Sequence, residues 1–415
     1  MAGARDAFEA VVIGAGWAGL GVSCCLRQAG IGHVVLERAR IGETWRSQRW
    51  DSFRMNIPNA LTVLPGERYE GPDPEGCMTC AEFVALLEGY ARRQDLPVET
   101  GAPVLALSRD EGEAAYRLAT PRRELLARNV VICTGNLNRP RRPALAATLP
   151  PGLHQIDVSD YRNAAALPAG AVLVVGSAQS GGQVAEDLAL QGRKVYLATG
   201  EVTRLVRRYR GRDTTFWLVE SGLFDVHRRD FVTAGGRAAS RSLIGALHTI
   251  SLQSLSAQGV VLLGRLSGTD GDGRHLTFAD DLADNLRLGD ESSARFKRLI
   301  DEHIARLGID APPPEPDPAE TVAPILPDPP IRALDWREHG LSTVIWCTGF
   351  DGDFGWVRLP GALDERGQPL HEEGVARLPG LYFAGLDFAS TRRSGTILSV
   401  AEEAPRLVRH ILARG

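Results

Sequence analysis

The sequence predicts an α/β protein with two Rossmann-like dinucleotide-binding domains, because one pattern of strand, glycine turn, helix and strand occurs in it twice. The first copy is EAVVIGAGWAGL, with Gly14, Gly16 and Gly19; the second is AVLVVGSAQSGG, with Gly176 and Gly181. Two further apolar runs, NVVICTGN and TVIWCTGF, each end in Cys-Thr-Gly and predict two chain crossings near one site. A chain of 415 residues exceeds one typical core, which agrees with two domains.

Each part of the first copy has a mechanical reason. Gly14 allows a tight turn, Gly16 lets backbone approach a pyrophosphate, and Gly19 lets helix and strand pack closely. The helical stretch GLGVSCCLRQAG then offers the free N–H groups of its first turn to the phosphates. Glu37 closes the next apolar run, HVVLE, 23 residues after Gly14, where a carboxylate accepts hydrogen bonds from ribose hydroxyls. This unit is predicted to hold the ADP half of FAD, and the acid disfavours a 2′-phosphate. In the second copy Ala178 replaces the middle glycine, and 23 residues beyond Gly176 stands Thr199 instead of an acid. Downstream, VTRLVRRYRGRD carries Arg204, Arg207 and Arg208. A missing acid beside guanidinium groups, which pair bidentately with phosphate, predicts NADPH in preference to NADH.

The bulk properties exclude other classes. A net charge of -4 argues against a general affinity for nucleic acid or anionic membrane. No apolar run approaches the roughly 20 residues of a membrane span, and the N-terminus lacks a signal-like apolar stretch, so a cytoplasmic location is expected. The nine histidines are scattered without zinc-ligand spacing, and no metal site is expected. Cys24, Cys25, Cys133 and Cys347 read as buried, reduced thiols. Cys77 and Cys80 form a C-x-x-C before the helical stretch AEFVALLEGYARRQ, where a helix N-terminus would lower a thiol pKa; this opens a dithiol reductase reading. Helices are expected near 247–258 and 291–307 and from about Thr396, with APPPEPDPAETVAPILPDPP as an extended strap.

The paired motifs resemble the flavin-dependent monooxygenase superfamily, which includes flavin-containing, Baeyer–Villiger and plant indole-pyruvate monooxygenases. The similarity runs nearly the whole chain and includes RWDSFRMNIPN (49–59), YRN (161–163), RRYRGRD (207–213), PILPDPP (324–330) and VIWCTGF (344–350). It implies an FAD domain (1–160 and 335–415) interrupted by an NADPH domain (161–334), in a monomer or homodimer acting on a small organic substrate and O2. It further implies that NADPH reduces the flavin, that O2 adds at the flavin C4a position, and that one oxygen passes to the substrate. By position, Gly14, Gly16, Gly19, Glu37, Trp45, Arg49, Thr134, Gly135, Gly385, Asp387 and Thr396 would serve FAD. Asn56 matches an Asn-x-Pro position beside the flavin. The chain departs from the family fingerprint before Tyr161: Pro151, Leu153 and Asp157 stand at its Phe, Gly and His positions. Asp157 is therefore a second catalytic candidate, with a surface residue before a Ser-Asp turn as its other reading. That departure, with Ala178, leaves a flavin oxidase or dehydrogenase reduced by its own substrate as the alternative.

Overall fold

A computed structural model describes residues 6–109, 114–230 and 242–414. The first copy of the pattern forms β1 (Asp6–Ile13), α1 (Trp17–Gln28) and β2 (His33–Leu36). It is followed by α2 (Glu43–Ser47), α3 (Cys80–Arg93), β3 (Val98–Glu99) and β4 (Glu124–Ile132). The chain then enters a second unit of β5 (His154–Asp157), β6 (Ala171–Val175), α4 (Gln179–Leu190) and β7 (Val195–Ala198). That unit continues with β8 (Val261–Leu263), α5 (Leu282–Leu307) and β9 (Leu341–Trp346). The return to the first unit supplies β10 (Leu381–Phe383) and α6 (Val400–Arg414).

The first sheet runs β10–β4–β1–β2–β3, all parallel, with antiparallel strands added to make nine. The second runs β8–β7–β6–β9–β5, again all parallel. The central strands are buried on both faces, as their continuous apolar runs require: Ala10–Ile13 and all of β6 are buried. In each sheet the strand before the glycine turn sits at the reversal of strand order. β1 lies between β2 and β4, and β6 between β7 and β9. Such a reversal leaves a crevice beyond the strand ends in which ligands bind.

Three expectations change. The two Cys-Thr-Gly strands are β4 and β9, one in each sheet, so they frame two crevices instead of one. Because β5 and β9 both hydrogen-bond within the second sheet, that sheet extends outside the expected limits of 161 and 334 at both ends. Helices occupy Leu252–Ala257 and Leu282–Leu307, the Pro-rich strap keeps only the short turn Pro318–Thr321, and α6 starts at Val400 behind a 3-10 turn at Ile397–Ser399.

The units are joined by more than their two covalent crossings. Those crossings pair with each other, Phe350 opposite Pro140 and Asp351 opposite Arg139. In addition, residues 47–59 of the first unit form a strap laid on the second. Trp50 is buried in the second unit's core with Tyr161, Val172, Val174 and Val184, while Met55 belongs to the first unit's core. Beside Trp50, the Asp187 carboxylate accepts from Ser52 Oγ at 2.5 Å, Tyr161 Oη at 2.6 Å and Gln191 Nε2 at 2.7 Å. Asn163 donates to Asp51 at 2.6 Å, and Asp51 N donates to the Arg162 carbonyl at 2.9 Å. The Trp50→Ala variant should therefore lose about 3–5 kcal/mol, read as a lower denaturant midpoint; a loss below about 1 kcal/mol would mean the strap is not anchored through this side chain.

Candidate dinucleotide sites

The two glycine turns are near copies in atomic detail. Gly14 has φ +104° and Gly176 +101°, values that L side chains rarely adopt. A Cβ on Gly14 would lie 2.8 Å from the Cys133 carbonyl oxygen, and one on Gly176 would lie 2.6 Å from that of Cys347. The third glycines pack as closely: a Cβ on Gly19 would meet Gly14 O at 1.9 Å, and one on Gly181 would meet Gly176 O at 1.7 Å. Each turn is thus clamped between its own Cys-Thr-Gly strand and the helix that follows.

The middle position behaves differently. A Cβ on Gly16 would meet nothing within 4 Å. Gly16 is the N-cap of α1 with φ -82° and ψ -174°, and Ala178 is the N-cap of α4 with φ -73° and ψ -166°. Alanine adopts this extended conformation without strain. Neither helix start carries a side-chain cap, so both first turns leave N–H groups for an anion. At this position the two turns differ by one methyl group, which Ala178 carries and Gly16 lacks.

Glu37 is buried at the end of β2, where its Oε2 accepts from Ala15 N at 2.8 Å and its Oε1 from Ala39 N at 2.9 Å. Each oxygen keeps a lone pair for a ribose hydroxyl. The second unit makes the same cross-link in reverse, since Ser177 Oγ accepts from Gly200 N at 3.1 Å. Thr199 is buried there, donating to Leu263 O at 2.7 Å and accepting from Asn285 Nδ2 at 3.0 Å.

Around the first crevice the structure gathers the other candidates for FAD. Gly42 N donates to Ala15 O, which sets α2 against the glycine turn. Just beyond, the Arg49 guanidinium lies 4.8 Å from the Trp45 ring and 5.4 Å from that of Phe53. Its Nη1 donates to Gln48 O at 2.7 Å, and burial holds its pKa below the usual arginine range. Thr134 Oγ1 and Gln48 Oε1 are buried without a protein partner, as expected of atoms that meet a bound group. Gly135, with φ +70°, continues that turn. Gly385 also has positive φ, +72°, and a Cβ there would lie 2.6 Å from that of Ala18. Asp387 N donates to Asn136 Oδ1 at 2.8 Å, which joins the loops after β4 and β10. Thr396 Oγ1 donates to Arg393 O at 2.6 Å, so its hydroxyl closes the turn before α6. Buried polar atoms without a protein partner beside an open glycine turn suit a bound FAD.

The arginine cluster does not form a free phosphate seat. Arg204 is buried and donates to Asp290 and Glu320, each at 2.8 Å. Arg207 is buried against Asp213, whose carboxyl is pushed up by burial against the pull of the guanidinium. Arg208 pairs with Glu75, Arg210 with Asp301 and Arg212 with Glu220. All five guanidinium groups meet the chain's own carboxylates, so charge alone does not make them readers of a 2′-phosphate. Asp157 ends the outermost strand β5 and accepts from Arg142 Nε at 2.7 Å. It stands in a surface ion pair, which agrees with its reading as a surface residue.

Asn56 does lie at the junction of the units. Its Oδ1 accepts from Gln183 Nε2 at 2.9 Å and its carbonyl from Arg207 Nη1 at 2.9 Å. Sequence reasoning missed Gln183, Asn136 and the buried Glu403 on α6, which accepts from Gly385 N at 3.2 Å. Of these, only Gln183 carried a signal, by lying in the turn of helix after the second glycine motif.

The thiols of Cys77 and Cys80 are not activated. Cys77 is buried, with Sγ 3.2 Å from Ala246 O, and burial pushes both thiols up to about 11. The start of α3 is already satisfied by a capping box between Thr79 and Glu82.

Comparison with known proteins now adds to the geometry. The profile of the pyridine nucleotide-disulphide oxidoreductase family matches residues 11–212. An uncharacterized CzcO-like oxidoreductase of Geobacillus kaustophilus is 30% identical over 97% of this chain and 98% of its own. An indole-3-pyruvate monooxygenase of Oryza sativa subsp. japonica is 31% identical over 91% of this chain and 86% of its own. This chain belongs to the flavin-dependent monooxygenase superfamily. The superfamily fold is also matched by the structure of a flavin-containing monooxygenase from Stenotrophomonas maltophilia, with TM-score 0.65, 19% identity and 99% of each chain covered. Like the rest of the superfamily architecture, the twin Rossmann-like units are those the sequence predicts. No helix among the described residues is long and apolar enough to cross a membrane.

Two tests separate fold from site in this superfamily member. Gly14→Ala should lower stability by at least about 2 kcal/mol, because it combines unfavourable φ with a backbone clash. Gly16→Ala should leave the apoprotein's melting temperature unchanged while lowering the FAD-to-protein ratio; full FAD retention would show that the space beside Gly16 is not the pyrophosphate seat. For the thiols, raising a pKa from 9.0 to about 11 cuts the thiolate fraction at pH 8 roughly 100-fold. Iodoacetamide should label Cys77 and Cys80 far more slowly in the folded than in the unfolded protein, and the double serine variant should keep its flavin; rapid labelling of the folded protein would restore the dithiol reading.

Proposed function

We propose that the chain is an FAD- and NADPH-dependent monooxygenase that transfers one oxygen atom from O2 to a small organic molecule. The observation that carries this reading is the pair of equivalent crevices, each clamped by a Cys-Thr-Gly strand, in a chain related over nearly its full length to a named monooxygenase. The first crevice has open space at Gly16, a ribose-binding acid at Glu37 and unpartnered polar atoms at Thr134 and Gln48. The second keeps the same backbone at Ala178, which supports a second dinucleotide there.

FAD held by the first crevice would supply the redox chemistry, two-electron exchange with a nicotinamide and reactivity toward O2. The protein's part is to bind, orient and shield. Gly14, Gly16, Gly19 and Glu37 hold the ADP end; Thr134, Gly135, Gly385 and Asp387 border the remainder of the cofactor. The α1 and α4 N-termini bind the two pyrophosphates. Arg49, set against Trp45 and Phe53, brings a positive charge to the same crevice. Met55 and Ile57 pack into the first unit's core on either side of Asn56, so the strap excludes water while presenting one amide.

The alternative, a flavin oxidase or dehydrogenase, is favoured by the methyl group of Ala178 and by the ion-paired arginines. Anaerobic stopped-flow mixing decides between them. Loss of the oxidised flavin's visible absorption on mixing with NADPH is the expected outcome. Failure of both NADPH and NADH to reduce the flavin would sink the monooxygenase reading and leave the alternative.

A further inference from the structure

Gln183, on α4 of the second unit, is hydrogen-bonded to the side-chain amide of Asn56, on the strap of the first. Gln183 Nε2 donates to the Ile244 carbonyl at 2.8 Å and to Asn56 Oδ1 at 2.9 Å. A main-chain carbonyl can only accept, so Gln183 must turn its nitrogen toward Ile244. The second hydrogen of that nitrogen then requires Asn56 to present its oxygen. The Asn56 backbone is fixed as well. Its carbonyl accepts from Arg207 Nη1, which also donates to Gly245 O at 3.2 Å, while Nη2 pairs with Asp213. What remains is Asn56 Nδ2, which has no acceptor among the described residues. Its two N–H bonds form a donor edge whose direction is set from across the domain junction.

We propose that Gln183 is a positioning residue, holding Asn56 with this donor edge turned to the flavin. The proposal rests on the functional reading above and deepens it. An amide has opposite partial charges on its two edges, so turning it over exchanges a donor for an acceptor without moving the backbone. Reduced flavin gathers negative charge, which a fixed donor stabilises and an acceptor repels. The orientation of Asn56 therefore governs the flavin potential and the fraction of reduced flavin that loses its electrons to O2 as H2O2.

Gln183→Glu removes the N–H donor and supplies a carboxylate that accepts from Asn56 Nδ2, turning the amide over. Gln183→Met is neutral and breaks the link. Each variant is made with Asn56 and with Asn56→Ala, and two quantities are read: the FAD midpoint potential, by dithionite titration against a reference dye, and the rate of H2O2 release during NADPH oxidation. With Asn56 present, Gln183→Glu should lower the potential and raise H2O2 release about tenfold, with Gln183→Met between it and the unchanged protein. In the Asn56→Ala background Gln183→Met should change neither quantity, and Gln183→Glu should keep only the smaller shift caused by its own charge. Effects of equal size with and without Asn56 would overturn the proposal, as would potentials unaltered by both variants when Asn56 is present. The titration needs no nucleotide, so it decides the role of Gln183 even if NADPH fails to reduce the flavin, a failure that would count against the functional reading alone.

Discussion

The strap of residues 47–59 is held by two buried charges on the second unit, Asp187 and Arg207. Each would be costly to leave unpaired away from water, and each is satisfied in part by atoms of the strap: Ser52 Oγ for Asp187 and the Asn56 carbonyl for Arg207. Two residues before Ser52, Trp50 adds its ring to the second unit's core. Because the same strap contributes Met55 to the first unit's core, the two crevices keep a fixed relation as long as these contacts hold. The position of Asn56 follows from that fixation, as do the packing of Trp45 on Phe53 and the burial of Arg49 beside them.

The other arginines of the 204–212 segment are held in the same manner. Arg204 gathers Asp290 and Glu320, and Glu320 also takes Lys297, which ties the Pro-rich segment to α5. The pairs of Arg208, Arg210 and Arg212 are more exposed, and pairs of that kind contribute little stability singly. Their effect is on charge, since each guanidinium already has an anion.

The parallel strands and the glycine turns were legible in the sequence because their causes are local. A positive φ needs glycine, and a strand covered on both faces needs an unbroken apolar run. The fate of the arginines was not legible. Arg204, Arg207 and Arg208 announce positive charge, but their partners lie at Asp290, Glu320, Asp213 and Glu75, most of them far away in the chain. The same distance hid the Gln183–Asn56 contact, which spans 127 positions. It also concealed that burial would outweigh the helix start at Cys80 and raise that thiol's pKa. Nor does the sequence around Asp157 name its partner, Arg142.

The doubled glycine turn bears on how the chain can drift over generations. Gly14 and Gly176 are each pressed against a neighbouring carbonyl, and Gly19 and Gly181 against the turn itself, whether or not any nucleotide is present. Selection for a folded chain alone would preserve these four. The middle positions, Gly16 and Ala178, are under no such pressure from the polypeptide, and there the two copies differ. The outer glycines therefore report only on what folding demands, and the middle residue alone reports on what each half must accommodate.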